Sequence, residues 1–351
     1  MPSSAEAAAR AAALAARLPP YRAPAGFAPA AVQTVWASKV RRVDGVAYRR
    51  TTLGLPDGDV LDVDHAEPAQ ATGPRRVAIV AHGLEGSSSR TYVRGMARAL
   101  ARRGWAVAAW NLRGCGGAPN RLVRAYHSGA TEDLAAVVAH VLAEGAPGDS
   151  TPGAPEQDAP EQVAPEQVAL VGFSLGGNLT LKYAADLGPD IDPRIVAVVG
   201  ISAPVDLAAS AMVMERPTRR PYMHYFLRSL VAKAEQKAAA FPDAPSVEGM
   251  RRMRTFRAFD GRFTAPVHGF ASAEDYWARA SALPVLGRLA VPTLLVNALD
   301  DPFLAPSCFP PSAGALHVLT PRHGGHVGFV APGGEYWSET VTAAWVEGLK
   351  G

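Results

Sequence analysis

Five short apolar runs, RRVAIVAHG, GWAVAAWN, VALVGFS, RIVAVVGIS and VPTLLVNA, constrain this chain more than any other feature. Each is rich in β-branched and small apolar residues without polar alternation, the pattern of a strand buried on both faces of a parallel sheet. Between them lie helical patterns, RTYVRGMARALARRG, ATEDLAAVVAHVLAEG and LGGNLTLKYAADLG. Strand, helix, strand in repetition specifies a doubly wound, mostly parallel α/β fold with right-handed crossovers.

Before that grammar begins, VDGVAYRRTTL and DVLDVDHA alternate polar and apolar residues around a PDG turn, which predicts an N-terminal antiparallel hairpin at a sheet edge. The opening MPSSAEAAARAAALAARLPP reads as a helix capped by Ser3 or Ser4 and stopped by Pro19 and Pro20. It lacks a basic stretch followed by a continuous apolar run, so it is not a signal peptide. No run approaches the roughly 20 apolar residues of a membrane span, which predicts a soluble protein. Two segments break the alternation. Residues 145–167 carry APEQDAPEQVAPEQV, a proline-bearing unit written three times, expected to be a disordered surface insertion. Residues 205–285 are too long for a connection between strands and predict an inserted helical cap. The expected division is an N-terminal helical or extended segment (1–40), an α/β core (41–204 and 286–351) and that cap.

Length and hydrophobic content, 351 residues and 48%, suffice for a large core. With 35 Lys plus Arg against 32 Asp plus Glu, the net charge of +3 lacks the footprint of a nucleic-acid binder. Only Cys115 and Cys308 occur, which excludes a disulfide framework and a cysteine-rich zinc site, and fits a reducing, cytoplasmic compartment.

The third apolar run ends in Gly172-Phe173-Ser174-Leu175-Gly176, which fits G-x-S-x-G in the strand-turn-helix setting that motif requires. There the serine hydroxyl stands above the sheet at a helix N-terminus, where developing negative charge is favoured. The plainer reading of Ser174 is a helix N-cap in a glycine-rich turn. As a nucleophile it needs a base, an orienting acid and oxyanion donors. Asp300 and Asp301 end the run VPTLLVNALDDPF, and His323 and His326 lie in ALHVLTPRHGGHVGF after the last strand. Adjacent side chains at a strand end point to opposite faces, so one aspartate of the pair reaches the imidazole. Residue patterns leave open which aspartate and which histidine act. Backbone N–H groups of Leu175 and of Leu84, in HGLEGSS, are the candidate oxyanion donors. No metal is called for, because His323 and His326 have no further ligands at metal spacing. No phosphate-loop pattern occurs.

Together these motifs resemble the YheT-like branch of the α/β-hydrolases, which also holds eukaryotic membrane-anchored lipases and esterases. The resemblance rests on HGLEGSS with Tyr92, NLRGCGG, YHSG, GFSLGGN, FTAPVHGF, NALDDP and HGGHVGF, spanning about residues 80–330. It implies the α/β-hydrolase fold, Ser174 as nucleophile, Asp301 as acid, His326 as base, and no cofactor. The APEQ repeats depart from the family, as does the lack of the eukaryotic membrane anchor.

The expected reaction is hydrolysis of carboxylic esters, short- to medium-chain or lipid-like, through an acyl-enzyme. An acyltransferase or thioesterase would use the same triad, and a non-catalytic scaffold would lack part of it. Selectivity is assigned to the cap, where AMVMERPTRRPYMHYF mixes methionine and aromatic residues, and Met212, Met214, Tyr222 and Phe270 are candidate substrate contacts. Residues 212–262 hold 11 Lys plus Arg against 5 Asp plus Glu, an excess able to attract anionic substrates or lipid head groups. Oligomeric state is not encoded in any pattern found.

Overall fold

A computed structural model describes residues 4–68, 73–143 and 163–349. Its strands are β1 (Arg49–Gly54), β2 (Val60–Ala66), β3 (Arg76–Ala81), β4 (Ala106–Trp110), β5 (Gln167–Phe173), β6 (Ile195–Ile201), β7 (Thr293–Val296) and β8 (Leu316–Leu319). They form one sheet in the order β1-β2-β4-β3-β5-β6-β7-β8. β2 runs antiparallel to β1 and β4, and every other pairing is parallel. All five apolar runs are strands, and the hairpin sits at the edge. It is shorter than its alternation predicts: residues 43–48 stay outside β1, where the carbonyls of Val43 and Val46 accept from the Arg94 guanidinium at 3.3 and 3.2 Å rather than joining the ladder.

The helices are α1 (Ser4–Ala15), α2 (Ala30–Val35), α3 (Thr91–Ala101), α4 (Thr131–Ala143), α5 (Leu175–Leu187), α6 (Leu207–Met214), α7 (Arg220–Ala240), α8 (Phe256–Phe259), α9 (Ala265–His268), α10 (Ala273–Ala280) and α11 (Trp337–Glu347). Successive strand residues feed two cores. Val77, Ile79 and Ala81 pack with Leu134, Val137 and Leu179 of α4 and α5 on one face. Ala78 and Val80 pack with Met96, Leu100 and Trp345 of α3 and α11 on the other. This double coverage is why the central strands show no polar alternation.

Helices α6 to α10 lie between β6 and β7. α7 buries Met223, Leu227 and Val231 against Met250, Phe259 and Phe263 in a separate cluster. Most of the APEQ repeat segment lies outside the described residues. Its expected end is too late, because Glu166 N already donates to Arg75 O at 2.9 Å and Gln167 opens β5. Ser3 also lies outside the described residues, and α1 stops at Ala15, ahead of the two prolines.

Candidate active site

β5 ends at Phe173 and α5 starts at Leu175, leaving Ser174 to turn the chain at φ 52°, ψ −119°. A serine in that region is strained. The turn is held because Ser174 N donates to Ile201 O at 2.8 Å and Asn178 N donates back to Ser174 O at 3.1 Å. Glycine is required on both sides: a Cβ on Gly172 would collide with the Gly176 carbonyl, and one on Gly176 with the His82 carbonyl. The Ser174 side chain makes no capping bond to the helix. Ser174 holds the N-cap position, but its Oγ lies 2.9 Å from His326 Nε2.

His326 Nδ1 faces Asp301, 2.9 Å from Oδ2 and 3.1 Å from Oδ1. Asp301 is 7% exposed and its Oδ1 also accepts from Phe303 N at 2.9 Å. With Nδ1–H donated to this carboxylate, Nε2 is left to accept from the serine hydroxyl. The other two candidates pair elsewhere. Asp300 accepts from Gly325 N at 2.9 Å, its Oδ2 is 3.4 Å from His323 Nδ1, and burial raises its carboxyl above the ordinary value. Asp300 therefore braces the histidine loop rather than the His326 imidazole.

That loop is held by segments far away in sequence. His326 N donates to Thr34 Oγ1 at 2.9 Å, and Val330 N donates to Gln33 Oε1 at 3.1 Å, so α2 supports the chain on both sides of the turn. Val327, at φ 56°, is fixed by its N–H bond to Ser202 Oγ at 2.9 Å. Sequence reasoning missed Thr34 and Gln33. Nothing in AAVQTV marks them, since their role exists only once α2 meets the loop.

Leu84 and Leu175 flank the serine, and neither amide has a hydrogen-bond partner among the described residues. Beside Leu84, burial pushes the His82 imidazole down to about 4, so the ring is neutral. Its Nε2 accepts from Leu112 N at 3.1 Å, which assigns Nδ1–H as donor to Gly83 O at 2.8 Å.

Ser174, His326, Leu84 and Leu175 open on a cavity of about 800 Å³ whose wall includes Met214, Phe226, Phe256 and Phe303. Phe303 lies 4.3 Å from the His326 ring, centroid to centroid. Met214 is thus on the wall as expected, but three other proposed contacts are not. Met212 is 60% exposed, because two residues of helix rotate it about 200° away from Met214. Tyr222 stands behind the wall, edge-on to Phe303 at 4.9 Å. Phe270 packs against His127 at 5.4 Å and lines a smaller cavity of about 430 Å³. His127 and His268, from the YHSG and FTAPVHGF motifs, border both cavities and were missed as site residues. Burial pushes both down to about 3, so both are neutral near pH 7. Asp260 was missed too: it lines the large cavity, accepts from Thr264 Oγ1 at 2.7 Å and Trp277 Nε1 at 2.9 Å, and is pushed up to about 6 by burial. Among the described residues no three His, Cys, Asp or Glu gather as a metal site.

Comparison with known proteins decides the family. The family described as Serine aminopeptidase, S33, matches residues 72–308. A protein of Escherichia coli (strain K12) named "Putative esterase YheT" is 37% identical over 335 residues, 92% of this chain and 91% of that protein. The chain is a YheT-like α/β-hydrolase. More distant relatives of this hydrolase include Phospholipase ABHD3 of Mus musculus, 27% identical over 81% of this chain and 67% of the relative. Monoacylglycerol lipase of Saccharomyces cerevisiae is 26% identical over 82% of this chain and 60% of the relative. By family, the YheT-like hydrolase is a carboxylic ester hydrolase. Among solved structures, the esterase Pf2001 of Pyrococcus furiosus shares the fold at TM-score 0.53 and 16% identity, covering 88% of this chain and 96% of its own. Among the described residues no helix is long and apolar enough to cross a membrane.

Proposed function

We propose that this YheT-like hydrolase cleaves carboxylic esters of short- to medium-chain or lipid-like acids through an acyl-enzyme on Ser174. The observation that carries the reading is the unbroken chain from Ser174 Oγ to His326 Nε2 and from Nδ1 to Asp301, at 2.9 Å each. His326 takes the serine proton as Oγ attacks the ester carbonyl, and Asp301 stabilises the imidazolium that forms. The amides of Leu84 and Leu175, two residues that line the cavity beside Ser174, receive the negative charge of the tetrahedral intermediate. His326 then protonates the leaving alcohol. Water, deprotonated by the same nitrogen, releases the acid. No cofactor takes part in any of these steps.

A wall of phenylalanine and methionine supports acyl chains as the bound group, as do relatives named phospholipase and monoacylglycerol lipase. Helices α6 to α10 act as the cap that sets chain length. The cytoplasm is the proposed location, a reading supported by two free, buried thiols, Cys115 and Cys308.

The test is a panel of p-nitrophenyl esters and acyl thioesters of increasing chain length, with a fluorophosphonate label, on wild type and Ser174→Ala. Wild type is expected to label and to turn over esters, and Ser174→Ala to do neither. A wild type that neither labels nor cleaves any ester overturns the proposal; faster cleavage of thioesters than esters reassigns it as a thioesterase.

A further inference from the structure

Glu85 sits directly after the proposed oxyanion donor and is an unusual residue for its backbone. Gly86 N donates to Gly83 O at 2.9 Å, closing a four-residue turn whose third position is Glu85 at φ 54°. Turns with a left-handed third residue ordinarily place glycine or asparagine there, because other side chains add strain. Here both the backbone and the carboxylate are held. Glu85 N donates to the Tyr126 hydroxyl at 3.0 Å, and that hydroxyl donates to Glu85 Oε1 at 2.6 Å.

The remaining partners come from the inserted helices. Lys233 Nζ lies 3.0 Å from Glu85 Oε1, and Ser229 Oγ donates to Oε2. Ser229 and Lys233 are one turn apart on α7, so a single helix face grips both carboxylate oxygens. The same ammonium lies 3.2 Å from Cys115 Sγ in NLRGCGG and 5.4 Å from the Tyr126 ring centroid. The Glu85 side chain is 4% exposed. A carboxylate so deeply covered is retained only with its partners in place.

We propose that Glu85, Ser229 and Lys233 form a positioning clamp through which docking of α7 seats the Gly83–Gly86 turn and aims the Leu84 N–H at the acyl oxygen. The inserted helices then do more than roof the cavity: without α7 in place, the oxyanion hole lacks one aligned donor. This inference rests on the hydrolase reading above. It assigns Glu85, Ser229 and Lys233 no contact with the reacting atoms.

Lys233→Met is expected to lower kcat on a p-nitrophenyl ester about 10- to 100-fold, with KM within about threefold, because a displaced donor is lost only in the transition state. Inhibition by a trifluoromethyl ketone, whose hemiketal oxygen occupies the oxyanion hole, should weaken in parallel with kcat/KM. Lys233→Arg should restore most of both. If Lys233→Met does not fold, Ser229→Ala is the milder variant and should show the same pattern at several-fold size. The clamp is overturned if kcat is unchanged, if KM rises at constant kcat, or if kcat falls while ketone affinity stays at the wild-type value. Wild-type ester hydrolysis with unaffected variants sinks only the clamp, whereas an inactive wild type sinks the hydrolase reading itself.

Discussion

The floor of the large cavity is made from loops at the carboxyl ends of parallel strands, and its roof from helices inserted between β6 and β7. On the floor, backbone geometry determines each position: Glu85, Ser174, Ser202 and Val327 all hold positive φ, and backbone or side-chain hydrogen bonds hold the turns around them. On the roof, positions are set by packing, as in the cluster of Met214, Met223, Phe259 and Phe263. Strained backbone persists only where its surroundings over-determine it, which suits a floor that must align a proton relay to fractions of an ångström. A packed apolar roof tolerates substitution and suits adjustment of the acyl group accepted.

The sharpest test of the floor compares its two adjacent acids. Asp301→Asn is expected to cost about 10³- to 10⁴-fold in kcat, since an amide cannot hold the imidazole in the right tautomer or stabilise its charge. Asp300→Asn keeps an acceptor for Gly325 N at the 2.9 Å position and should cost less than about tenfold. A larger loss at Asp300, measured as kcat on a p-nitrophenyl ester, would exchange their roles.

Smaller effects are expected on the roof, and of a different kind. Met214 is 4% exposed, so Met214→Ala should lower unfolding free energy by about 2 to 4 kcal/mol. Met212 is 60% exposed, and Met212→Ala should stay within about 0.5 kcal/mol of wild type. Urea titrations check both. Equal losses would mean that the roof packs on both faces of α6.

This contrast also explains what could be read from the chain before folding. A parallel sheet writes itself locally: apolar runs mark the strands, and GFSLGG marks a turn whose glycines are forced by neighbouring carbonyls. HGGHVGF likewise announced a loop able to carry an imidazole over the sheet. Which acid and which histidine meet depends on how the two loops face each other once folded, Asp301 toward His326 and Asp300 toward Gly325 N and His323, so the residue pattern alone left both pairs open. On the roof, Met212 and Met214 look alike in AMVMERPTRR, and only the docking of α6 tells them apart. Tyr222 and Phe270 lie off the wall of the large cavity for the same reason, each half-buried and packed against another ring. His127 and His268 stand about 140 residues apart, and no periodicity brings their rings to 4.5 Å.

Those two histidines mark the seam between floor and roof, and pH probes it. Held neutral with a value near 3, His127 has its folded-state affinity for protons depressed by burial. Its contribution to stability is therefore complete above the unfolded value of about 6.5 and is lost as pH falls toward 3. His127 is 8% exposed, and at pH 5 the loss should be about 2 kcal/mol. His127→Gln should shrink the stability difference between pH 7 and pH 5 by about that amount, measured by urea unfolding at both values. An unchanged difference would mean that the ring is already solvated, and that the seam is open to water.

A modest effect at Thr34 tests whether the floor ends at the sheet or extends into the N-terminal segment. Thr34 Oγ1 accepts from His326 N at 2.9 Å, and Thr34 is 8% exposed, so this bond is shielded from competing water. Thr34→Val preserves shape but removes the acceptor, leaving the histidine amide unpaired beside the relay. A hydrogen bond of about 1 kcal/mol corresponds to about a fivefold change in rate if its loss is felt only as misalignment of the imidazole. The expected outcome is therefore a kcat about three- to tenfold lower with KM little changed, and Thr34→Ser close to wild type because its hydroxyl can still accept. A Thr34→Val enzyme with unaltered kcat would confine the floor to the strand-end loops and leave α2 as packing alone; a loss shared by Thr34→Ser would point to the methyl group, and so to packing, as the source of the effect.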